Sequence, residues 1–361
     1  MAVLNRQTLQ AGERIRVLVV DDSVVIRTLV TQILSEDPQL EVVGTASNGA
    51  MGLERIGQLN PHVVTLDIEM PQMDGLEMLR KLRGQHPHLR IIMFSTLTER
   101  GATATFEALS LGANDYVTKA ANGGSLDRSM SRLREELVPK IKQFFRLSGE
   151  QATAPTTMNR VRPPTWPELN RPKAVLIGVS TGGPAALQAI LPDLPAGFPL
   201  PILVVQHMPP LFTRLLAERL NTRCQLPVAE ASQGDAVLGG RILIAPGDFH
   251  MKLTRNDRGA WIHLDQAAQL NSCRPAVDAL FTSASEVYGG AVLAVILTGM
   301  GQDGLRGIET LRARGARVLA QDEDSSVVWG MPGAVVRAHL ADHVVPLNQV
   351  AEQIVCAVGR Y

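Results

Sequence analysis

The stretch VLIGVSTGGP, residues 175–184, decides how the larger half of this chain is read. An apolar run stops at Ser180, which stands between Gly178 and Gly182, and Pro184 soon follows. That pattern is a buried strand feeding a sharp turn and then a helix. Such a turn presents a nucleophilic serine, holds a phosphate on backbone N–H groups, or merely joins two elements.

Working outward from it, strand-like runs recur: KAVLIGV, PILVVQH, LPVAEA, RILIAPG, HMKLTR, WIHL, AVLAVILTG and RVLAQD. Their middle members leave no room for long helices, so part of this sheet is expected to be antiparallel. Residues 173–358 then form one doubly wound, Rossmann-like α/β domain with a mainly parallel sheet. Before it, residues 148–172 carry no apolar period and five prolines, which predicts a linker.

Residues 15–125 show a second alternation. IRVLVV, EVVGTAS, HVVTLDI, RIIMFST and DYVTK are separated by helical stretches near 24–37, 49–58, 75–83 and 101–111, a (βα)5 pattern. Ser23 is placed to cap the first helix. An amphipathic helix over 125–146, bent at Pro139, is expected to follow, with residues 1–14 as an N-terminal extension and 126–172 as helix plus linker.

Composition narrows the functions. The 361 residues hold 35 Lys+Arg against 35 Asp+Glu, so no net field draws the chain to nucleic acid or anionic lipid. Three cysteines, Cys224, Cys273 and Cys356, are too few and scattered for a disulfide framework or a zinc site. There is no apolar run of about 20 residues and no signal-peptide pattern, so a soluble, cytoplasmic protein is expected. With no basic stripe and no compact helix-turn-helix, DNA binding is disfavoured.

Within residues 15–125 Asp21 and Asp22 end one strand and Asp67 another. Strand C-termini of a parallel sheet open on one edge, so three carboxylates gather there and call for a divalent cation such as Mg2+. Ser95 and Lys119, after the fourth and fifth strands, reach the same edge, and a hydroxyl and an ammonium beside a metal-bound carboxylate suit a phosphoryl group. On VLVVDDS, VVTLDIEMPQMDGLE, IIMFST and DYVTKA this half resembles the receiver domain of two-component response regulators. The resemblance implies phosphorylation at Asp67, Mg2+ held with Asp21 and Asp22, a switch hydroxyl at Ser95, a switch aromatic at Tyr116, and phosphoryl contact by Lys119. Ala120 stands where the family usually has proline.

In the second half GVSTG fits G-x-S-x-G in the strand-to-helix setting that pattern requires. A serine hydroxyl needs a base within reach and a carboxylate to orient that base. His207 ends the next strand and Asp303 lies just past another. The order Ser, His, Asp, with one strand before the elbow, rules out an α/β-hydrolase. A nucleotide loop is disfavoured, because Ser180 takes the place of the second glycine of G-x-G-x-x-G and no Walker lysine follows. Spacing alone leaves Asp248, Asp322 and Asp324 as rival carboxylates and His250 as a rival base.

Receiver, linker and second domain together resemble the bacterial chemotaxis protein-glutamate methylesterases, on IGVSTGGPAAL, VVQHMPPLFT, IAPGDFHM, RPAVDALF, ILTGMGQDG and GMPGAV. The resemblance implies a catalytic triad of Ser180, His207 and Asp303, with Thr181 and Met300 at the oxyanion or substrate position. It implies methanol release from methylated glutamates of chemoreceptors, deamidation of receptor glutamines, a chemotaxis histidine kinase as phosphodonor, and no cofactor for the ester step. Cys273 replaces a histidine common in that family.

Overall fold

The computed structural model describes residues 7–10, 12–119, 126–147, 166 and 171–359. The chain divides into two compact units, Met1–Thr153 and Ala154–Tyr361.

The first unit is built on a five-stranded parallel sheet. Its order is Leu40–Ala46, Ile15–Val20, Val63–Asp67, Arg90–Ser95, Asp115–Thr118. Helices cover both faces, so the strands read as near-continuous apolar runs rather than alternating ones. Four of those helices start on side-chain caps, from Ser23, Asn48, Asp74 and Thr98. The strand order reverses beside Ile15–Val20, and the crevice outside that point is where ligands of such sheets bind.

The last helix runs Leu126–Lys142 with Pro139 inside it, and stops before Gln143. The expected helix to 146 is therefore too long. Phe145–Leu147 is instead a short strand, paired in parallel with Gln7–Leu9 of the N-terminal segment. Lys142 reaches Asp37 at 3.0 Å and Lys140 reaches Asp115 at 3.7 Å, so this helix packs on the rest of the first unit, while Lys140 also pairs with Glu136 of its own helix at 2.9 Å.

The second unit has a seven-stranded sheet, entirely parallel. Its order is Val228–Glu230, Ile242–Ile244, Ile202–Gln206, Ala174–Val179, Val292–Ile296, Arg317–Gln321, His343–Val345. The expected antiparallel part is not in this sheet. His250–Asn256 and Gly259–Asp265 form a separate two-stranded hairpin, docked on helix Val277–Tyr288 through Leu253 N to Ser283 Oγ at 3.0 Å. The scarcity of helices was correctly read, but residues 231–241 cross over in parallel as a loop without one. Edge strand His343–Val345, three residues long, had no apolar run to announce it.

Within the linker region, Trp166 stands edge-on to His343 with ring centres 4.4 Å apart, and the Arg317 guanidinium lies 5.5 Å from its ring centre. The other linker residues, apart from Arg171 and Pro172, lie outside the described residues. No described helix is long and apolar enough to cross a membrane.

Candidate active site and acidic pocket

In the first unit the sheet edge gathers the expected carboxylates. One ligand oxygen from each of Asp21, Asp22 and Asp67 lies within 4.8 Å of the others, Asp22 being exposed and the other two buried. Lys119 Nζ sits 2.7 Å from Asp67 Oδ2 and 3.0 Å from Asp21 Oδ2. Burial, and then the neighbouring Asp21, push the Asp67 carboxyl up to about 6. Burial pulls the Lys119 ammonium down, but Asp67 and Asp21 outweigh it and the net shift is upward. Asp21 Oδ2 is buried without a hydrogen bond of good geometry. Three clustered carboxylates, two of them buried and sharing one ammonium, fit a hard divalent cation such as Mg2+.

Ser95 ends its strand as expected, but its hydroxyl faces helix Glu99–Ser110. It donates to Gly101 O at 3.1 Å and accepts from Thr105 Oγ1 at 2.6 Å. Tyr116 is buried, and Lys140 Nζ donates to its carbonyl at 2.6 Å. Ala120 lies outside the described residues.

In the second unit the three expected strand ends meet. The helix after Ser180, Gly183–Ile190, begins at Gly182 with φ +78° and carries no side-chain cap, and helix Leu305–Arg312 begins likewise at Gly304. The first of these starts therefore keeps backbone N–H groups on the rim uncovered by side chains, whereas at the second Gly304 N and Gly307 N donate to Asp303 and Asp278. His207 Nε2 lies 2.7 Å from Asp303 Oδ2. Asp303 is buried, and Oδ2 also accepts from Val277 N at 2.6 Å, while Oδ1 accepts from Asp278 N at 3.1 Å and Gly304 N at 3.0 Å. Burial alone would raise its carboxyl; the bond to His207 and those from the backbone hold it below the usual range.

His207 Nδ1 faces Cys273 Sγ at 3.5 Å, and the half-buried Ser180 hydroxyl has no hydrogen bond among the described residues. Burial would lower the imidazole, but Cys273 and then Asp303 more than offset it, raising His207 to about 10. Thr181 is buried, its carbonyl accepting from Thr298 Oγ1 at 2.9 Å, and Met300 is exposed.

Three of the four rivals left open by spacing, His250, Asp248 and Asp322, are engaged elsewhere. His250 Nε2 lies 3.1 Å from Ala268 O. Asp248 pairs with Arg274 at 2.6 Å, and Asp322 accepts from Ser325.

Two contacts escaped the sequence reading. Gln206 Nε2 donates to Ser180 O at 3.0 Å and His207 O at 3.3 Å, tying the backbones of both residues. Asn271 Nδ2 lies 2.9 Å from both Asp303 Oδ1 and Asp278 Oδ2. Gln206 abuts His207 in sequence, which is a usable signal; nothing in the sequence links Asn271 to Asp303.

Residues 175–354 match the CheB methylesterase family, and residues 17–130 match the response regulator receiver domain. A protein-glutamate methylesterase/protein-glutamine glutaminase of Trichodesmium erythraeum is 48% identical over 350 residues, 96% of this chain and 99% of that one. One of Nocardioides is 51% identical over 352 residues, 96% of each. The crystal structure of the Thermotoga maritima CheB methylesterase catalytic domain is similar at 45% identity with a TM-score of 0.50, covering 51% of this chain and 97% of that one. With the elbow serine, the His207–Asp303 pair and the acidic pocket each at a sheet's C-terminal edge, this chain belongs to the CheB methylesterase family and carries an N-terminal response regulator receiver domain.

Proposed function

We propose that this chain hydrolyses glutamate γ-methyl esters on chemoreceptors and deamidates receptor glutamines by the same acyl chemistry, under control of phosphorylation at Asp67. The observation that carries this reading is the 2.7 Å bond between His207 Nε2 and Asp303 Oδ2 at the edge where the Ser180 elbow opens. Because Nε2 is engaged by Asp303, Nδ1 is the nitrogen left to serve Ser180. Cys273 now faces it, so a side-chain rotation that exchanges the thiol for the Ser180 hydroxyl precedes attack.

Ser180 Oγ then bonds to the ester carbonyl carbon as its proton passes to His207 Nδ1. The carbonyl oxygen becomes an oxyanion, met by backbone N–H groups near Thr181 or Met300, a contribution of about 3–4 kcal/mol in such sites. His207 returns its proton to the methoxy oxygen as the C–O bond breaks, and methanol leaves. Water repeats the sequence in reverse and frees the glutamate. Asp303 holds the ring and stabilises its charged form throughout.

In the receiver, Asp21, Asp22 and Asp67 would hold Mg2+, which when bound neutralises charge around the incoming phosphoryl group. Lys119 contacts the phosphoryl oxygens. Ser95 would turn toward them, releasing Gly101 O and Thr105, and that exchange together with Tyr116 reports the phosphorylation state. The phosphodonor is a histidine kinase of the chemotaxis class, and the reaction belongs to the cytoplasm.

The test is methanol release from methylated chemoreceptor membranes by the intact chain and by Ser180→Ala, with and without a small phosphodonor and Mg2+. Ser180-dependent release that rises with phosphodonor is the expected result. Release that ignores the phosphodonor removes the regulatory half of the reading, and no release from folded protein removes the enzymatic half.

A further inference from the structure

Residues 270–273 close on themselves as a turn, with Leu270 N donating to Cys273 O at 3.2 Å and Cys273 N to Leu270 O at 2.8 Å. Asn271 and Ser272 at its tip have φ of +51° and +61°. Asparagine tolerates that left-handed conformation better than most residues. The turn directs two side chains at one catalytic pair: Cys273 toward His207 and Asn271 toward Asp303.

Asn271 Nδ2 stands between two buried carboxylates, 2.9 Å from Asp303 Oδ1 and 2.9 Å from Asp278 Oδ2. Asp278 Oδ1 in turn accepts from Gly307 N at 2.8 Å. Burial, and also repulsion from Asp303, raises the Asp278 carboxyl. Two neighbouring carboxylates of this kind tend to share one proton. Such a proton would sit on Asp278, whose carboxyl is raised, while Asp303 stays charged opposite the imidazole.

We propose that Asn271 is a positioning residue of the hydrolase: its amide bridges Asp303 and Asp278, so the two carboxylates coexist and Asp303 keeps Oδ2 on His207. This rests on the triad reading above. An uncharged amide suits the place because one nitrogen supplies two donors. Aspartate there would add a third carboxylate, and an apolar side chain would withdraw a donor from two buried acceptors. The ionisable groups bonded around this unit are His207 from its strand end, Cys273 from the turn and Asp278 from the following helix.

The test uses full-length Asn271→Asp and Asn271→Gly, with folding checked by circular dichroism. Methanol release from methylated chemoreceptor membranes gives kcat and KM, and a fluorophosphonate gives the rate of Ser180 labelling across pH. Both variants are expected to lose about 100-fold in kcat and labelling rate with KM within about threefold, since the pair is misplaced rather than the substrate. Asn271→Asp should also shift the pH profile, which a merely structural residue would leave in place. Glycine keeps the left-handed backbone without a Cβ penalty, so Asn271→Gly decides alone if Asn271→Asp does not fold. Folded variants within about threefold of wild type, with an unchanged pH profile, overturn the proposal. Ser180→Ala separates the two failures. If it still releases methanol, the triad reading is wrong; if it is silent while the Asn271 variants run at full speed, only the bridging role falls.

Discussion

Replacing Gly183 by alanine tests how the nucleophile and base are held at a fixed spacing. The backbone at 183 is not left-handed, so the substitution itself carries no conformational penalty. An added Cβ, however, would stand 1.9 Å from Gln206 Oε1 and 2.8 Å from Val179 Cγ2. Gln206 is buried and must withdraw, giving up its bonds to Ser180 O and His207 O. Loss of the two bonds together with displacement of the buried amide costs about 1–3 kcal/mol per bond, although Ser180 O keeps its bond from Gly183 N at 2.8 Å. Alanine in place of glycine in a helix gives back at most about 1 kcal/mol. The net expectation is about 3 kcal/mol of destabilisation, or a melting point lower by about 6–12 °C for the second unit. Fluorophosphonate labelling of Ser180 should slow by about 10- to 100-fold, as reacting groups lose their common tether. Thermal melts and labelling rates are measured on Gly183→Ala, Gln206→Ala and the double variant. The double should lie close to Gln206→Ala alone, since the 1.9 Å clash is then gone and only the 2.8 Å approach to Val179 Cγ2 remains to be relieved. Gly183→Ala melting and labelling like wild type would refute the tether.

Three further outcomes are expected. Asp303→Asn should cost about 10^4 in kcat with little change in KM, because an amide cannot hold the imidazole in its working tautomer; kinetics of methanol release check it. Cys273→Ala removes the leading cause that raises His207, so the imidazole gives up its proton more readily and the acid limb of the kcat profile should move to lower pH; an unmoved limb would count against the contact. For Asp67, a folded pKa of about 6 against an ordinary value of 3.8 means that the folded Mg2+-free receiver binds its proton more tightly than the unfolded chain does. That stability is present below about pH 4 and lost as pH rises through about 6, worth about 3 kcal/mol relative to Asp67→Asn. Melts of both proteins at several pH values, repeated with Mg2+, should show the metal restoring wild type above about pH 6 and leaving Asp67→Asn unchanged.

What the sequence disclosed follows from where the physics is local. A strand ended by a polar residue places that residue on the sheet's C-terminal edge, whatever else the chain does. Thus Asp21, Asp67, Ser180 and His207 could be located from short runs, and the cap Ser23 sits where its helix start demands it. Pairings between distant segments carry no such mark. Gln7–Leu9 is a strand because Phe145–Leu147 lies beside it, and His343–Val345 because Arg317–Gln321 does; neither run is apolar or long enough to stand alone. The hairpin His250–Asn256 to Gly259–Asp265 was visible as two strands, but its independence from the main sheet depends on helix Val277–Tyr288 offering it a surface.

The same distinction runs through the active site. Ser180, His207 and Asp303 each announce themselves by residue type and position, yet the contacts around the His207–Asp303 pair, Asn271 on Asp303 and Cys273 beside His207 Nδ1, do not. Those residues come from a turn with two left-handed positions, and its approach to the rim depends on the packing of the following helix. Cys273 drew notice as a departure from a family habit; Asn271 drew none, because a bridging amide has no pattern of its own. The groups of the proposed site were therefore legible in the sequence, whereas the arrangement that brings them together is a tertiary property.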